Sequence, residues 1–128
     1  MSFKEELYKL APSWEDLSIS KRSSYAGVTL DLSDYTFIVH NATWCPDCER
    51  ELTELMALCD ELGIDRSPKL VLKSYENIEE YKVLKGRGQL EISCLPTIEV
   101  NKNSVVIGKV EETSSPNLLT NLVSIIGN

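Results

Sequence analysis

A chain of 128 residues, 42% of them hydrophobic, can enclose one well-packed core but not two, so 1–128 is expected to form a single domain. Twenty acidic against 13 basic residues leave a net charge of −7, and the basic residues form no block, which argues against a nucleic-acid footprint and against attraction to an anionic membrane. Residues 1–6 lack the basic-then-apolar pattern of a secretory signal, and no apolar run reaches membrane-spanning length, so the sequence reads as cytoplasmic and its four cysteines as catalytic, metal-binding or buried thiols rather than a disulfide framework.

Ser2, followed three residues later by Glu5, forms a capping box for a short helix that carries Phe3, Leu7, Tyr8 and Leu10 and is ended by Pro12. Ser13, Trp14, Glu15 and Asp16 start a second short helix, after which 18–25 is polar and without clear period. Residues 1–27 thus read as an N-terminal helical extension of uncertain structure. Residues 27–30 fit a short strand or an extended link, and 31–34 a turn into an apolar strand at 35–40.

That strand leads into Trp44-Cys45-Pro46-Asp47-Cys48. Cys-x-x-Cys at the start of a helix is the sequence form of a dithiol redox centre. Residues three apart share a helix face, so the two sulfurs can bond without backbone movement. At the helix N-terminus, unpaired N–H groups and the helix dipole stabilise a Cys45 thiolate, the attacking species. Cys48, one turn inside, is more shielded and acts second. Pro46 suits the first helical position, where a missing N–H costs nothing.

Beyond it, Cys48, Leu52, Leu55, Met56, Cys59 and Leu62 trace one helical stripe, closed by Gly63. Leu70-Val71-Leu72 reads as a short buried strand, parallel to the first through a right-handed crossover. Residues 77–84 look helical, with Ile78, Tyr81, Val83 and Leu84 apolar, and Gly86-Arg87-Gly88 breaks the pattern. Pro96 must stand at the beginning of the next strand, since it cannot donate into a ladder. Residues 101–103 supply a hairpin turn to Val105-Val106-Ile107. A last helix begins with Ser115 as cap and Pro116 at its first position, and ends before Gly127.

Strand, Trp-Cys-x-x-Cys, helix, strand, helix, x-Pro-Thr strand, hairpin and C-terminal helix together resemble the thioredoxin superfamily over residues 28–128. The expected fold is therefore α/β and thioredoxin-like, a central mixed sheet flanked by helices. The resemblance implies a cis Leu95–Pro96 bond facing the two cysteines, a Leu95 backbone that pairs with an extended substrate segment, and Trp44 flanking the nucleophile. Pro46 and Asp47, Leu95 and Pro96 would then border substrate with Trp44. Where thioredoxins have a buried acid beneath the second cysteine, this chain has Val39, which implies slower resolution or another base. His40 faces the other side of the sheet, as a packed core histidine or a catalytic neighbour. Asp47 opposes a nearby thiolate, which points to a reductase rather than a disulfide donor.

The leading expectation is a cytosolic thiol–disulfide oxidoreductase, its partners a disulfide-containing protein or small thiol and either an NADPH-linked reductase or glutathione, with no bound cofactor and no metal. The alternatives are an adaptor that presents the groove with little turnover, and metal or iron–sulfur handling through Cys45, Cys48 and Cys94. Cys59 lies about 16 Å along the helix from Cys48 and cannot share a metal with it. It reads as a small core hydrophobe. Cys94, two residues before Pro96, reads either as packing or as an accessory thiol near the dithiol. Gly86-Arg87-Gly88 is read as an ordinary turn rather than an anion cradle.

Overall fold

The computed structural model describes residues 2–127; Met1 and Asn128, the ends of the expected domain, lie outside the described residues. Among the described residues five α-helices surround a four-stranded mixed sheet. In chain order they are α1 (Phe3–Leu10), α2 (Ser13–Lys21), β1 (Tyr35–Asn41), α3 (Pro46–Leu62), β2 (Lys69–Ser74), α4 (Ile78–Gly86), β3 (Thr97–Lys102), β4 (Val105–Glu111) and α5 (Leu118–Ile126). The sheet order is β2-β1-β3-β4, with β1 and β2 parallel and the other pairs antiparallel. This is the thioredoxin-like arrangement expected from the sequence.

Alternation along β1 explains how the sheet acquires its core face. Phe37 and Val39 stand opposite Val100 and Ile98 of β3, and all four are fully buried. The other face carries Ile38 and His40 opposite Glu99 and Thr97. The apolar stripe of α3, with Cys48, Leu52, Leu55 and Leu62, joins the same buried cluster, as does Cys59. α5 approaches so closely over β4 that a Cβ on Gly108 would stand 2.7 Å from Ile125 Cγ2.

Residues 2–27 pack into this core through Leu7, Trp14 and Tyr25. The Ser2 cap forms, with the Glu5 N–H donating to Ser2 Oγ at 3.1 Å and the Ser2 hydroxyl 3.1 Å from Glu5 Oε1. The polar stretch 18–25 becomes the end of α2 and a 3₁₀ turn, Arg22–Tyr25. Its charged residues clasp the outer side of α3: Arg22 reaches Asp60 at 2.8 Å, and Lys21 donates to Thr53 Oγ1 at 2.6 Å. Residues 27–30 are an extended link rather than a strand.

Three expectations need correction. β2 is an edge strand, half exposed rather than buried, and Val71 faces solvent. Asn101 and Lys102 extend β3 instead of turning; the hairpin turn is Asn103-Ser104, both with positive φ, the backbone a tight two-residue β-turn requires. The cap of α5 is Asn117 rather than Ser115: its Oδ1 accepts the Thr120 N–H at 2.9 Å, while Pro116 lies before the helix after a cis bond.

Candidate functional site

β1 is an interior strand, and the turn 42–44 carries the motif from its C-terminal end to the N-terminus of α3. Cys45 is the N-cap of α3 with extended backbone, and Pro46 occupies the first helical position. Cys45 is half-buried, whereas Cys48, one turn in, is fully buried. The two thiols are neighbours, and both are free. Burial pushes the Cys48 thiol far above its ordinary value. The Ala42 N–H, donating to Cys48 Sγ at 3.4 Å, opposes that shift; the adjoining Cys45 and Asp47 reinforce it. With Val39 apolar and fully buried, no acid at that position counters the burial.

The Leu95–Pro96 peptide is cis and lies against the dithiol: the Cys45 thiol donates to the Leu95 carbonyl at 3.7 Å. Leu95 and Pro96 are themselves buried. Trp44, 36% exposed, forms the outer wall. Its Nε1–H donates to the Tyr75 carbonyl at 2.8 Å and its ring tilts against Tyr81, centroids 5.5 Å apart. Tyr81 in turn meets Tyr75 edge-on at 5.9 Å. Desolvation raises the Tyr81 phenol, and charge on Cys94, Cys45 and Cys48 acts in the same direction. The structure thus brings Trp44, Cys45, Cys48, Leu95 and Pro96 into one neighbourhood, with Cys94 next to Leu95 in the chain.

Other residues stand apart or act differently from their sequence reading. Cys94 is half-buried, with Sγ 3.8 Å from Thr97 Oγ1. Cys59 is buried on the α3 stripe, its thiol pushed up to about 12 chiefly by desolvation. His40 is fully buried, Nδ1 2.9 Å from the Tyr75 hydroxyl and Nε2 3.4 Å from Glu99 Oε1. Desolvation lowers its pKa against the pull of Glu99. Among the described residues no three His, Cys, Asp or Glu side chains form a group able to hold a metal ion.

Sequence reasoning missed three features. Arg50 Nη1 pairs with Asp47 Oδ1 at 2.9 Å and offsets the charge between the cysteines. Their i, i+3 spacing signals that pair. Tyr75 joins Trp44 and Tyr81 in an aromatic wall. Glu76 accepts the Thr43 N–H at 3.0 Å and the Thr43 hydroxyl, tying the segment just before α4 to the turn before the motif. Neither of the last two has a local sequence signature.

No protein-family model matches the sequence, and no curated protein matches it. Among solved structures, the chain is similar to an HIV epitope-scaffold protein at 16% identity, over 98% of this chain and 82% of that one, with a TM-score of 0.58. It is similar to a protein of unknown function from Pseudomonas aeruginosa at 18% identity, over 90% of this chain and 72% of that one, with a TM-score of 0.52. A mitochondrial thioredoxin from Saccharomyces cerevisiae in its oxidised form matches at 21% identity over 86% of this chain and 89% of that one, with a TM-score of 0.48. At these identities the likeness concerns the fold alone.

Proposed function

We propose that this chain is a thiol–disulfide oxidoreductase that works as a disulfide reductase. The observation that carries the reading is the asymmetry of the two thiols: Cys45 half-buried at the N-cap of α3, Cys48 fully buried one turn inside. A substrate can reach the first thiol, and desolvation disfavours an anion at the second. Cys45 thiolate attacks a substrate disulfide and forms a mixed disulfide. Cys48 then displaces the second substrate thiol and leaves a Cys45–Cys48 disulfide.

Trp44, Pro46, Asp47, Leu95 and Pro96 border the substrate in this reading, with the Leu95 backbone as its pairing partner. Cys94 is an accessory thiol at the rim. The dithiol is restored by an electron-donating reductase or by glutathione, in the reducing cytoplasm, and no bound cofactor takes part. Among the described residues no helix is long and apolar enough to cross a membrane.

A redox titration in defined thiol buffers, with thiols read by mass-resolved alkylation and Cys45→Ser as control, tests this. A reversible Cys45–Cys48 couple near about −270 mV is the expected result; a couple near about −120 to −180 mV would make the protein an oxidant or isomerase. Failure to form that disulfide overturns the reading in favour of an adaptor or a metal-handling site.

A further inference from the structure

Next to Trp44, and unused by the steps above, lies a cleft of about 110 Å³ lined by Tyr75, Tyr81, Leu84, Glu76 and Glu80 among others. It adjoins the site through residues already described. The Tyr75 carbonyl and the Tyr81 ring both contact Trp44, and the Glu76 side chain is bonded to Thr43, two residues before Cys45. Those bonds fix the Glu76 carboxylate in place but leave its charge uncancelled. Among the described residues, neither Glu76 nor Glu80 has a lysine, arginine or histidine nitrogen within 4.0 Å. Asp47, by contrast, is offset by Arg50.

α4 carries two basic residues, Lys82 and Lys85, and Lys85 Nζ stands 5.8 Å from the centroid of Tyr81. Aromatic faces beside unpaired carboxylates attract organic cations and repel anions.

We propose that this cleft selects the substrate of the dithiol: disulfides bearing a basic group, such as a lysine beside a cystine or an amine on a small disulfide, over neutral and anionic ones. The inference rests on the oxidoreductase reading. Cys45 thiolate bonds to one sulfur of the substrate and breaks its S–S bond, and the departing thiolate takes a proton from water. Cys48, losing its proton to water, bonds to Cys45 Sγ and releases the second substrate thiol. Two electrons pass from the protein dithiol to the substrate. Glu76 and Glu80 transfer nothing; they hold the cationic group near the cysteines. Glutathione, an anion at neutral pH, is the less favoured of the two recycling partners.

The test measures oxidation of the reduced protein by cystamine, hydroxyethyl disulfide and dithiodipropionate at low ionic strength, each rate divided by that of the same disulfide with dithiothreitol. The expected order is cationic over neutral over anionic, with about tenfold between the first two. Added salt and Glu76→Gln/Glu80→Gln should each shrink the cationic-to-neutral ratio towards one. Glu61→Gln/Asp65→Asn, an equal charge change at the C-terminal end of α3 and in the turn after it, should leave it in place. A wild-type ratio near one, a ratio that survives Glu76→Gln/Glu80→Gln, or one lost equally in the control variant overturns the proposal. If none of the three disulfides oxidises the protein, the dithiol reading itself falls, and the subsite with it.

Discussion

The thiol of Cys45 donates to the carbonyl of Leu95 across 3.7 Å, so the N-cap of α3 and the residue before Pro96 meet although 50 residues separate them. In the proposed reading, a substrate disulfide bound at Cys45 lies along the Leu95 backbone. The two cysteines then differ in what their loss does. Cys45→Ser should lower the rate of disulfide reduction by about three orders of magnitude or more. Cys48→Ser should instead stop the cycle at a mixed disulfide on Cys45, visible as one substrate adduct in the intact mass. An adduct on Cys48 or Cys94 in the wild type would reverse the assignment.

Burial of Cys48 also sets a pH dependence. A thiol held far above its ordinary value is almost wholly protonated at neutral pH, and its thiolate fraction grows nearly tenfold per unit of pH. Release of a preformed mixed disulfide by Cys48 should therefore accelerate by close to that factor between about pH 6 and 9. Single-turnover quench experiments on a Cys45 mixed disulfide measure it. A flat profile would require a base near Cys48 that the structure lacks at Val39.

The strand, motif and helix from 35 to 62 were legible in the sequence because each signal there is local. A continuous apolar run, Pro46 at the first helical position and a stripe ending at Gly63 all act within one turn or one strand. The position of β2 was not legible. Leu70-Val71-Leu72 is equally apolar in a central or an edge strand, and strand order depends on partners distant in sequence. Ser115 and Asn117 are both able to cap a helix, and the sequence does not choose between them. The aromatic wall and the Thr43–Glu76 bond join residues more than thirty positions apart, beyond the reach of periodicity.

The first two helices are part of the core and not an appendage. Leu7 is fully buried, and Trp14, nearly so, donates from Nε1 to Glu49 Oε2 at 3.1 Å on α3 itself. Leu7→Ala should cost about 2–5 kcal/mol in denaturant unfolding. Removing residues 1–26 should abolish the cooperative transition. A truncated chain that unfolds at the same denaturant midpoint would show that the extension is dispensable.

Gly108 is a packing requirement of the α5 contact. A methyl group there would meet Ile125 at its Cγ atoms, 2.7 and 2.8 Å away, and a branched side chain at its branch point cannot swing clear as a flexible tip would. Gly108→Ala should therefore destabilise the fold by about 1–3 kcal/mol. Pairing it with Ile125→Ala, which opens the space, should recover part of that loss in a double-mutant cycle. Strict additivity of the two changes would deny the contact.

Alkaline stability follows from the buried thiols. Cys59 is held up to about 12 against an ordinary 9.0, and Cys48 is raised as well, both mainly by desolvation. In the unfolded chain these thiols release their protons near the ordinary value, whereas in the folded chain they keep them. The unfolded state then binds fewer protons, so stability is constant below about pH 9 and falls as pH rises beyond it. The slope approaches about 1.4 kcal/mol per pH unit for each thiol. Urea unfolding of the reduced protein at intervals from pH 8 to 10 resolves it before tyrosine ionisation dominates. Cys59→Ala should be less stable than wild type at pH 8 through lost packing, yet lose less stability between pH 9 and 10. Parallel curves for the two proteins over that interval would mean that Cys59 ionises in the folded state as readily as in the unfolded one.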